Sequence, residues 1–202
     1  MAILAVLASA IAAGSGSFNG DISAVSAKAQ ASAILGYANE VKFAVDRLIA
    51  KGCTDTEISF ENPIASGYTN PNAPSDKSCH VFDVNGGGVL FNKYHPSCSN
   101  INFKTNHALG HNMKNIGDSE KADIYMRLSY CGILLCNAYN NLVGINNLVN
   151  YDGHMSTDNF VGTYLDGGGF YTPNINILGK HSYCATFGGG DYIALYFVIL
   201  AR

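Results

Sequence analysis

The sequence predicts an α+β fold in which a long N-terminal α-helix precedes a β-rich head with an antiparallel sheet and one further helix. Three observations predict it. An apolar run passes into helical periodicity within the first fifty residues, short strand-like runs separated by Gly- and Asn-rich turns follow, and one later segment returns to helical spacing. We therefore divide the chain into residues 1–52, an assembly or membrane segment, and residues 53–202, a disulfide-containing head.

The run Met1–Ala13 is apolar and uncharged, and no charged residue precedes Asp21. A cleaved secretory signal would carry a basic n-region, but the first basic residue is Lys28. A membrane-spanning helix needs about 20 apolar residues, so this run is at best a weak anchor. We favour a third interpretation, a helix that enters a bilayer temporarily and is later buried among copies of the chain, because its alanines permit close helix packing.

The helix is predicted to continue beyond Gly20 and to end at Gly52. Apolar residues recur every three or four positions, which is the spacing of one helix face. Lys51 suits the last turn, and Gly52 suits the left-handed position that follows a helix end. The residues that define the face are Ile34, Tyr37, Val41, Ala44 and Leu48.

Composition narrows the class of function. The chain is 48% hydrophobic and only 13% charged, with a net charge of −3, 22 Gly and 12 Tyr. This profile is typical of extracellular β-rich proteins. Nucleic-acid binding requires a basic face, and the sequence contains no cluster of Lys and Arg. Nucleic acid is therefore excluded as a predicted partner.

Six cysteines predict disulfide bonds and an oxidising compartment. Cys53 follows the helix and Cys79 closes a Pro- and Asn-rich loop, so we predict a Cys53–Cys79 bridge, which would contribute about 3 kcal/mol in the chain-entropy model. Cys131 and Cys136 would point about 140° apart on a helix and should not pair with each other. The partners of Cys98, Cys131, Cys136 and Cys184 remain open.

The head begins with strand signals. His80–Val84 and Val89–Asn92 flank a Gly-rich turn and predict a β-hairpin. Ile101–Lys104 predicts another strand, with a partner near Met113–Ile116.

A second helix is predicted over residues 120–143, with Gly144 as its stop. Its apolar positions are Ile124, Leu128, Cys131, Leu135, Tyr139 and Leu142. The remaining third returns to strands, which are predicted at Phe160–Leu165, Phe170–Thr172, Ser182–Phe187 and Tyr192–Arg202. The last of these is apolar on both alternating faces, which indicates a central strand covered on two sides.

A long apolar N-terminal helix, a disulfide-tied loop and a β-rich head together resemble the layout of type IV pilins and pseudopilins. The resemblance rests on Met1–Ala13 joined to the amphipathic continuation that ends at Cys53. It implies a structural subunit of an extracellular bacterial filament, placed at the cell surface and assembled from the membrane. The family commonly carries Glu at the fifth mature position, whereas this chain has Ala5.

The resemblance also implies the partner, which is the same chain. The subunit would form a homopolymer through its N-terminal helices after transient residence in the inner membrane. The side chains expected to pack in that helical assembly are Ile3, Leu4, Val6, Leu7, Ala8 and Ile11.

No motif predicts catalysis, a cofactor or a metal site. His107 and His111 have the spacing of a helical metal pair, but Gly110 lies between them and no Glu follows His107. The three Gly triplets lack the Lys-Ser/Thr or G-x-G-x-x-G pattern of phosphate-binding loops and indicate turns. Asp152-Gly153 and Asp166-Gly167 fit turns better than calcium sites. We predict that the protein is not an enzyme.

One alternative class stays open beside the filament subunit. The chain could be a secreted or surface-anchored binding module, such as an adhesin head or a phage fibre tip, that recognises sugar or protein through Tyr- and Asn-rich loops. An extracellular enzyme is a weaker third class.

Overall fold

A computed structural model describes residues 18–92, 98–106, 123–146, 149–151, 157–164, 179–187 and 192–201. The fold class is α+β, as predicted: a long helix, a turn-rich segment, one sheet and a second helix. The helices are α1 (Phe18–Ala50) and α2 (Ile133–Leu142). The strands are β1 (Asn100–Asn106), β2 (Ile124–Ser129), β3 (Val149–Tyr151), β4 (Thr157–Asn159), β5 (Ser182–Phe187) and β6 (Tyr192–Leu200).

Several predictions concern residues outside the described ranges. These are the apolar run, the partner strand near Met113–Ile116, the strand Phe170–Thr172, His107 and His111, Asp152 and Asp166, and the Gly triplets that begin at Gly167 and Gly188.

The six strands form one sheet in the order β3-β5-β6-β2-β1-β4. Every neighbouring pair is antiparallel except β3 and β5, which run parallel. The sheet is therefore mixed, and the prediction of an antiparallel sheet holds for every pair except β3 and β5. Parallel pairing is possible there because β3 and β5 are not consecutive along the chain, so no hairpin fixes their direction.

Strand β6 lies in the interior of the sheet, between β5 and β2. Leu195, Phe197 and Ile199 enter the core cluster that also contains α1 and α2. The alternate residues of the strand, Tyr196 and Val198 among them, enter a second cluster on the opposite face. The prediction of a two-faced central strand is confirmed.

Helix α1 packs against α2 and β6. Its buried positions repeat every three or four residues, as the predicted amphipathic face requires. They are Ala27, Ala31, Ile34, Ala38, Val41, Ala44, Val45 and Leu48. Because the side chains from Ala31 onward share one core cluster with the sheet, the core extends across the boundary at residue 52 that the sequence suggested.

Gly52 has the backbone conformation that the C-terminal end of α1 requires. The Cys53 N–H donates to the Leu48 carbonyl at 3.1 Å and the Gly52 N–H to the Ile49 carbonyl at 3.0 Å. This pair of bonds is the Schellman motif, which requires a left-handed residue, and Gly52 has φ +108°. The predicted helix stop is confirmed.

The predicted hairpin around residues 85–88 was wrong, since His80–Val84 and Val89–Asn92 form turns and irregular chain. His80 instead forms an isolated parallel bridge with Ser59. The Asp83 carboxylate accepts the Asn85 N–H at 3.0 Å and starts a turn. Gly87 then packs onto Val81, and its N–H donates to the His80 carbonyl at 2.8 Å. The side-chain cap and the close packing of glycine produce a compact loop where the pattern indicated strands.

Two glycines allow a matched test of this packing. A Cβ at Gly87 would lie 2.5 Å from the Val81 carbonyl oxygen, whereas a Cβ at Gly36, inside α1, would meet nothing within 4 Å. Gly87→Ala should lower the free energy of unfolding by about 1–3 kcal/mol through overpacking. Gly36→Ala should raise it by up to about 1 kcal/mol through helix propensity. Urea unfolding of both variants measures the two values, and equal effects would contradict this account of the loop.

The predicted helix over residues 120–143 was wrong in its first half. Ile124–Ser129 forms strand β2 and only Ile133–Leu142 is helical. A strand buried on both faces carries apolar residues at nearly every position, so helical spacing is satisfied by coincidence. Tyr130, with φ +53°, separates strand from helix. Gly144 ends the helix at φ +75°, as predicted.

The strand predicted at Phe160–Leu165 lies earlier in the chain. Strand β4 is Thr157–Asn159 and pairs with β1. Phe160 still donates its N–H to the Phe103 carbonyl at 3.1 Å, but Gly162, with φ +84°, turns the chain away. Ile101–Lys104 falls inside β1, and Ser182–Phe187 matches β5, so those two strand predictions are confirmed.

Buried tyrosines give the fold a pH limit. Burial raises the pKa of Tyr37 to about 12 and also raises the pKa of Tyr68, Tyr139 and Tyr196. Above the ordinary tyrosine pKa of about 10, the unfolded chain loses these protons while the folded chain keeps them. Stability should therefore be full below pH 10 and should fall as the pH rises toward 12. Chemical denaturation at stepped pH measures this, and a flat profile would contradict it.

Candidate functional site

The residues predicted to mediate assembly lie in the apolar run, outside the described part of the chain. The described element nearest to them is the N-terminal end of α1, which begins at Phe18. Ser23, Ala24, Val25 and Ser26 are all exposed, and Ala27 is the first buried residue among those of α1 whose burial is described. These four exposed residues form about one helical turn ahead of the buried stripe.

The solvent side of α1 carries exposed apolar residues. Val25 is 70% exposed and Phe43 is 59% exposed. Since an α-helix returns to the same direction after about 18 residues, these two side chains lie on one face, opposite the buried stripe. Ala29, Ser32 and Gly36 lie between them and are exposed. This face of α1 is therefore a surface of small and apolar residues.

The C-terminal half of α1 is fixed to the head by three contacts. The Cys53–Cys79 disulfide joins the helix end to the loop, with the two Cα atoms 5.9 Å apart. The Arg47 guanidinium donates to the Gly87 carbonyl at 3.0 Å. The Tyr37 hydroxyl accepts the Asn92 N–H at 3.2 Å. These contacts lock the helix to the loop between residues 53 and 92.

The disulfide framework agrees with the predicted Cys53–Cys79 pair and assigns the pairs left open. Cys98 bonds to Cys131, and Cys136 bonds to Cys184. Cys131 and Cys136 do not pair with each other, although the reason differs from the one expected: Cys131 precedes α2 instead of lying on it. Three bridges indicate an oxidising, extracellular type of environment.

Disulfide mapping tests the framework. A digest of the non-reduced protein should yield a peptide pair that links Cys53 to Cys79, because the bridge closes the loop onto the helix end. Mass spectrometry before and after reduction identifies that pair. Free thiols at both positions in protein isolated from its native compartment would contradict the bridge and the oxidising environment.

A polar clamp that the sequence analysis missed holds α2 against β5. The Asn140 amide group donates to the Cys184 carbonyl at 2.9 Å, and its oxygen accepts the Cys184 N–H at 2.7 Å. Cys136 bonds to the same residue through sulfur. Positions 136 and 140 are one helical turn apart, so they share a face of α2. The signal available in the sequence was this i, i+4 spacing of Cys and Asn.

Asparagines hold the turn-rich loop in place. The Asn70 amide donates to the carbonyls of Thr56 and Ile58 at 2.9 and 2.8 Å. The Asn72 amide donates to the Gly162 carbonyl at 3.0 Å. These amides satisfy backbone groups within the head, so the Asn-rich composition of this loop serves its structure.

The acidic groups with altered pKa values are turn caps. Backbone N–H donation from Thr54 lowers the pKa of Glu57, and donation from Asn85 lowers that of Asp83. Among the described residues, no three His, Cys, Asp or Glu side chains are placed to hold a metal ion. Within the same ranges, no helix is both long and apolar enough to cross a membrane.

Comparisons with protein-family models, with curated proteins and with solved structures find no match to this chain.

Proposed function

We propose that this protein is a structural subunit of an extracellular bacterial filament, built like a type IV pilin or pseudopilin, that polymerises through its N-terminal apolar helix. One observation carries the proposal. Ser23–Ser26 of helix α1 are exposed ahead of its buried stripe, and the uncharged apolar run Met1–Ala13 lies upstream of this helix in the chain. An exposed apolar segment of this length marks an interaction site. In the proposed filament, neighbouring copies of the chain bury it.

The attachment of α1 suits a subunit that transmits tension along a filament. A buried stripe from Ala31 to Leu48 makes the helix part of the main core, so a force applied to its N-terminal end is transmitted to the sheet through these contacts. The Cys53–Cys79 bridge adds a covalent link between the helix end and the loop. The oxidising environment that the bridges indicate fits a cell-surface location after transient residence in the inner membrane.

The solvent face of α1 supports contacts between helices. Val25 and Phe43 project from it, and the small residues Ala29, Ser32 and Gly36 lie between them on that face. Helices packed side by side in a filament would cover such a face, since burial of an apolar side chain is worth about 1.5–3 kcal/mol.

A binding module is the second candidate, because the head has an apolar patch of its own. Tyr130 is 65% exposed, and Ile133 and Leu134 beside it are 44% and 54% exposed. The Tyr130 ring meets the Tyr192 ring edge-on, with centroids 4.9 Å apart. Exposed aromatic and apolar groups of this kind are found where proteins recognise ligands or partners. An adhesin head or a phage fibre tip would use this patch.

Removal of residues 1–27 distinguishes the two candidates. The shortened chain keeps every buried residue of α1 from Ala31 onward. Sedimentation velocity should show a monomer for the shortened chain and large assemblies for the full chain, because the apolar run is the proposed cover for its neighbours. Leu90→Ser in the full chain removes another exposed apolar side chain, 86% accessible, and should leave assembly intact. Assemblies of equal size from the shortened chain would contradict the filament proposal.

A further inference from the structure

An open groove of about 350 Å³ lies between α1, the end of α2 and the C-terminal half of β6. Its walls are largely apolar: Leu35 comes from α1, Val143 follows α2, and Phe197 and Val198 come from β6. The volume falls near the lower end of the range for ligand sites, about 300–1,000 Å³. The groove is thus suited to a small molecule with an apolar body.

The polar rim of the groove is cationic. Lys42, Lys180 and His181 line it together with Asn39 and Ser182, and no acidic residue is among the lining side chains. The Lys42 ammonium bonds to both carboxylate oxygens of Asp46 at 3.0–3.1 Å. Lys180 is exposed and forms no salt bridge with any residue in the described ranges. Within the described part of the chain, its positive charge therefore has no salt-bridge partner beside this apolar surface.

The other polar groups in the groove are already bonded within the fold. The Ser182 hydroxyl donates to the Tyr196 carbonyl at 2.9 Å and contacts the Tyr139 hydroxyl. The His181 carbonyl accepts the Val198 N–H at 2.8 Å, which keeps the segment around Lys180 close to β6. A ligand would meet the side chains of Lys180, His181 and Lys42, whose ammonium has a third N–H beyond the two bonds to Asp46.

We propose that this groove binds a small amphiphilic carboxylate. The apolar body of the ligand lies on Leu35, Val143, Phe197 and Val198, and its carboxylate accepts charge-assisted hydrogen bonds from Lys180 and Lys42. A cation of the same shape would be repelled by Lys180, and a neutral molecule would not compensate its charge. The site is independent of the filament proposal, because none of its residues belongs to the apolar N-terminal run.

Calorimetric titration of the full chain with octanoate tests the site, with octanol and octylammonium as neutral and cationic probes of the same length. Octanoate should bind saturably and more tightly than either of the other probes, and added salt should weaken it. Lys180→Glu should weaken octanoate binding about tenfold by replacing attraction with repulsion, while Lys180→Arg should retain it.

Lys28→Glu is the matched control, since it makes the same charge change at an exposed position of α1 outside the groove. It should leave octanoate affinity within about twofold, because exposed charges more than a Debye length away, about 8–10 Å, are largely screened. Absence of octanoate binding, equal binding of octanol, or equal effects of Lys28→Glu and Lys180→Glu would each overturn the proposal.

Discussion

Deletion of Tyr196–Arg202 should unfold the head. The deletion removes Phe197 and Ile199 from the core shared with α1, and Tyr196 and Val198 from the cluster on the opposite face. It also leaves β2 and β5 without their common neighbour over half its length. Each buried apolar side chain contributes about 1.5–3 kcal/mol, whereas a whole domain is stable by only about 5–15 kcal/mol. Loss of several such side chains together exceeds that margin.

Thermal melting followed by circular dichroism measures the effect in the chain that lacks residues 1–27. The chain that lacks only residues 1–27 should melt cooperatively. The chain that also lacks Tyr196–Arg202 should show no cooperative transition. Removal of only Ala201 and Arg202, which follow the last residue of β6, is the control and should shift the melting temperature by a few degrees at most. A cooperative transition near the parent temperature after the longer deletion would show that β6 is not essential to the fold.

Ala8→Asp should abolish assembly while the head stays folded. In the proposed filament this position is packed among apolar neighbours, where an unpaired charge costs several kcal/mol. Because the proposal assigns the apolar run to contacts between copies of the chain, the melting temperature of the head should not change. Ser66→Asp adds the same charge to an exposed loop of the head and should assemble normally. Normal assembly of Ala8→Asp, measured by pelleting and light scattering, would contradict packing through the apolar run.

The elements that the sequence predicted well have signals that only one structure satisfies. Gly52 and Lys51 mark the end of α1, and the 3–4 spacing of its apolar residues matches the buried face. The unbroken apolar run Tyr192–Leu200 has no polar face, so it had to be covered on both sides. In both cases local preference and tertiary packing agree.

Where the prediction was wrong, tertiary packing decided between patterns that the sequence could not separate. Ile124 and Leu128 fit a helix stripe as well as a fully buried strand, and the neighbouring strands β6 and β1 selected the strand. The sequence around residues 83–89 fits the pattern of a hairpin. The Asp83 side-chain cap and the close contact of Gly87 with the Val81 backbone fold it into a compact loop instead. Neither contact has a periodic signal.

One of the three disulfide pairs could be predicted from the sequence, and the other two could not. Cys53–Cys79 could be predicted because loop composition and helix end placed the two residues together. The other two pairs depend on how β1, β5 and α2 meet in space, which the spacing of cysteines does not encode. The Asn140 contact likewise arises only once α2 meets β5, and the cationic groove only once α1, α2 and β6 are assembled.

Electron microscopy of the full chain, isolated from its native compartment, tests the central claim most directly. We predict thin filaments of uniform diameter with the β-rich heads on the outside, and no filaments from the chain that lacks residues 1–27. Two results would contradict polymerisation through the N-terminal helix. One is that the folded full chain forms single particles and no filaments, and the other is that the shortened chain forms identical filaments.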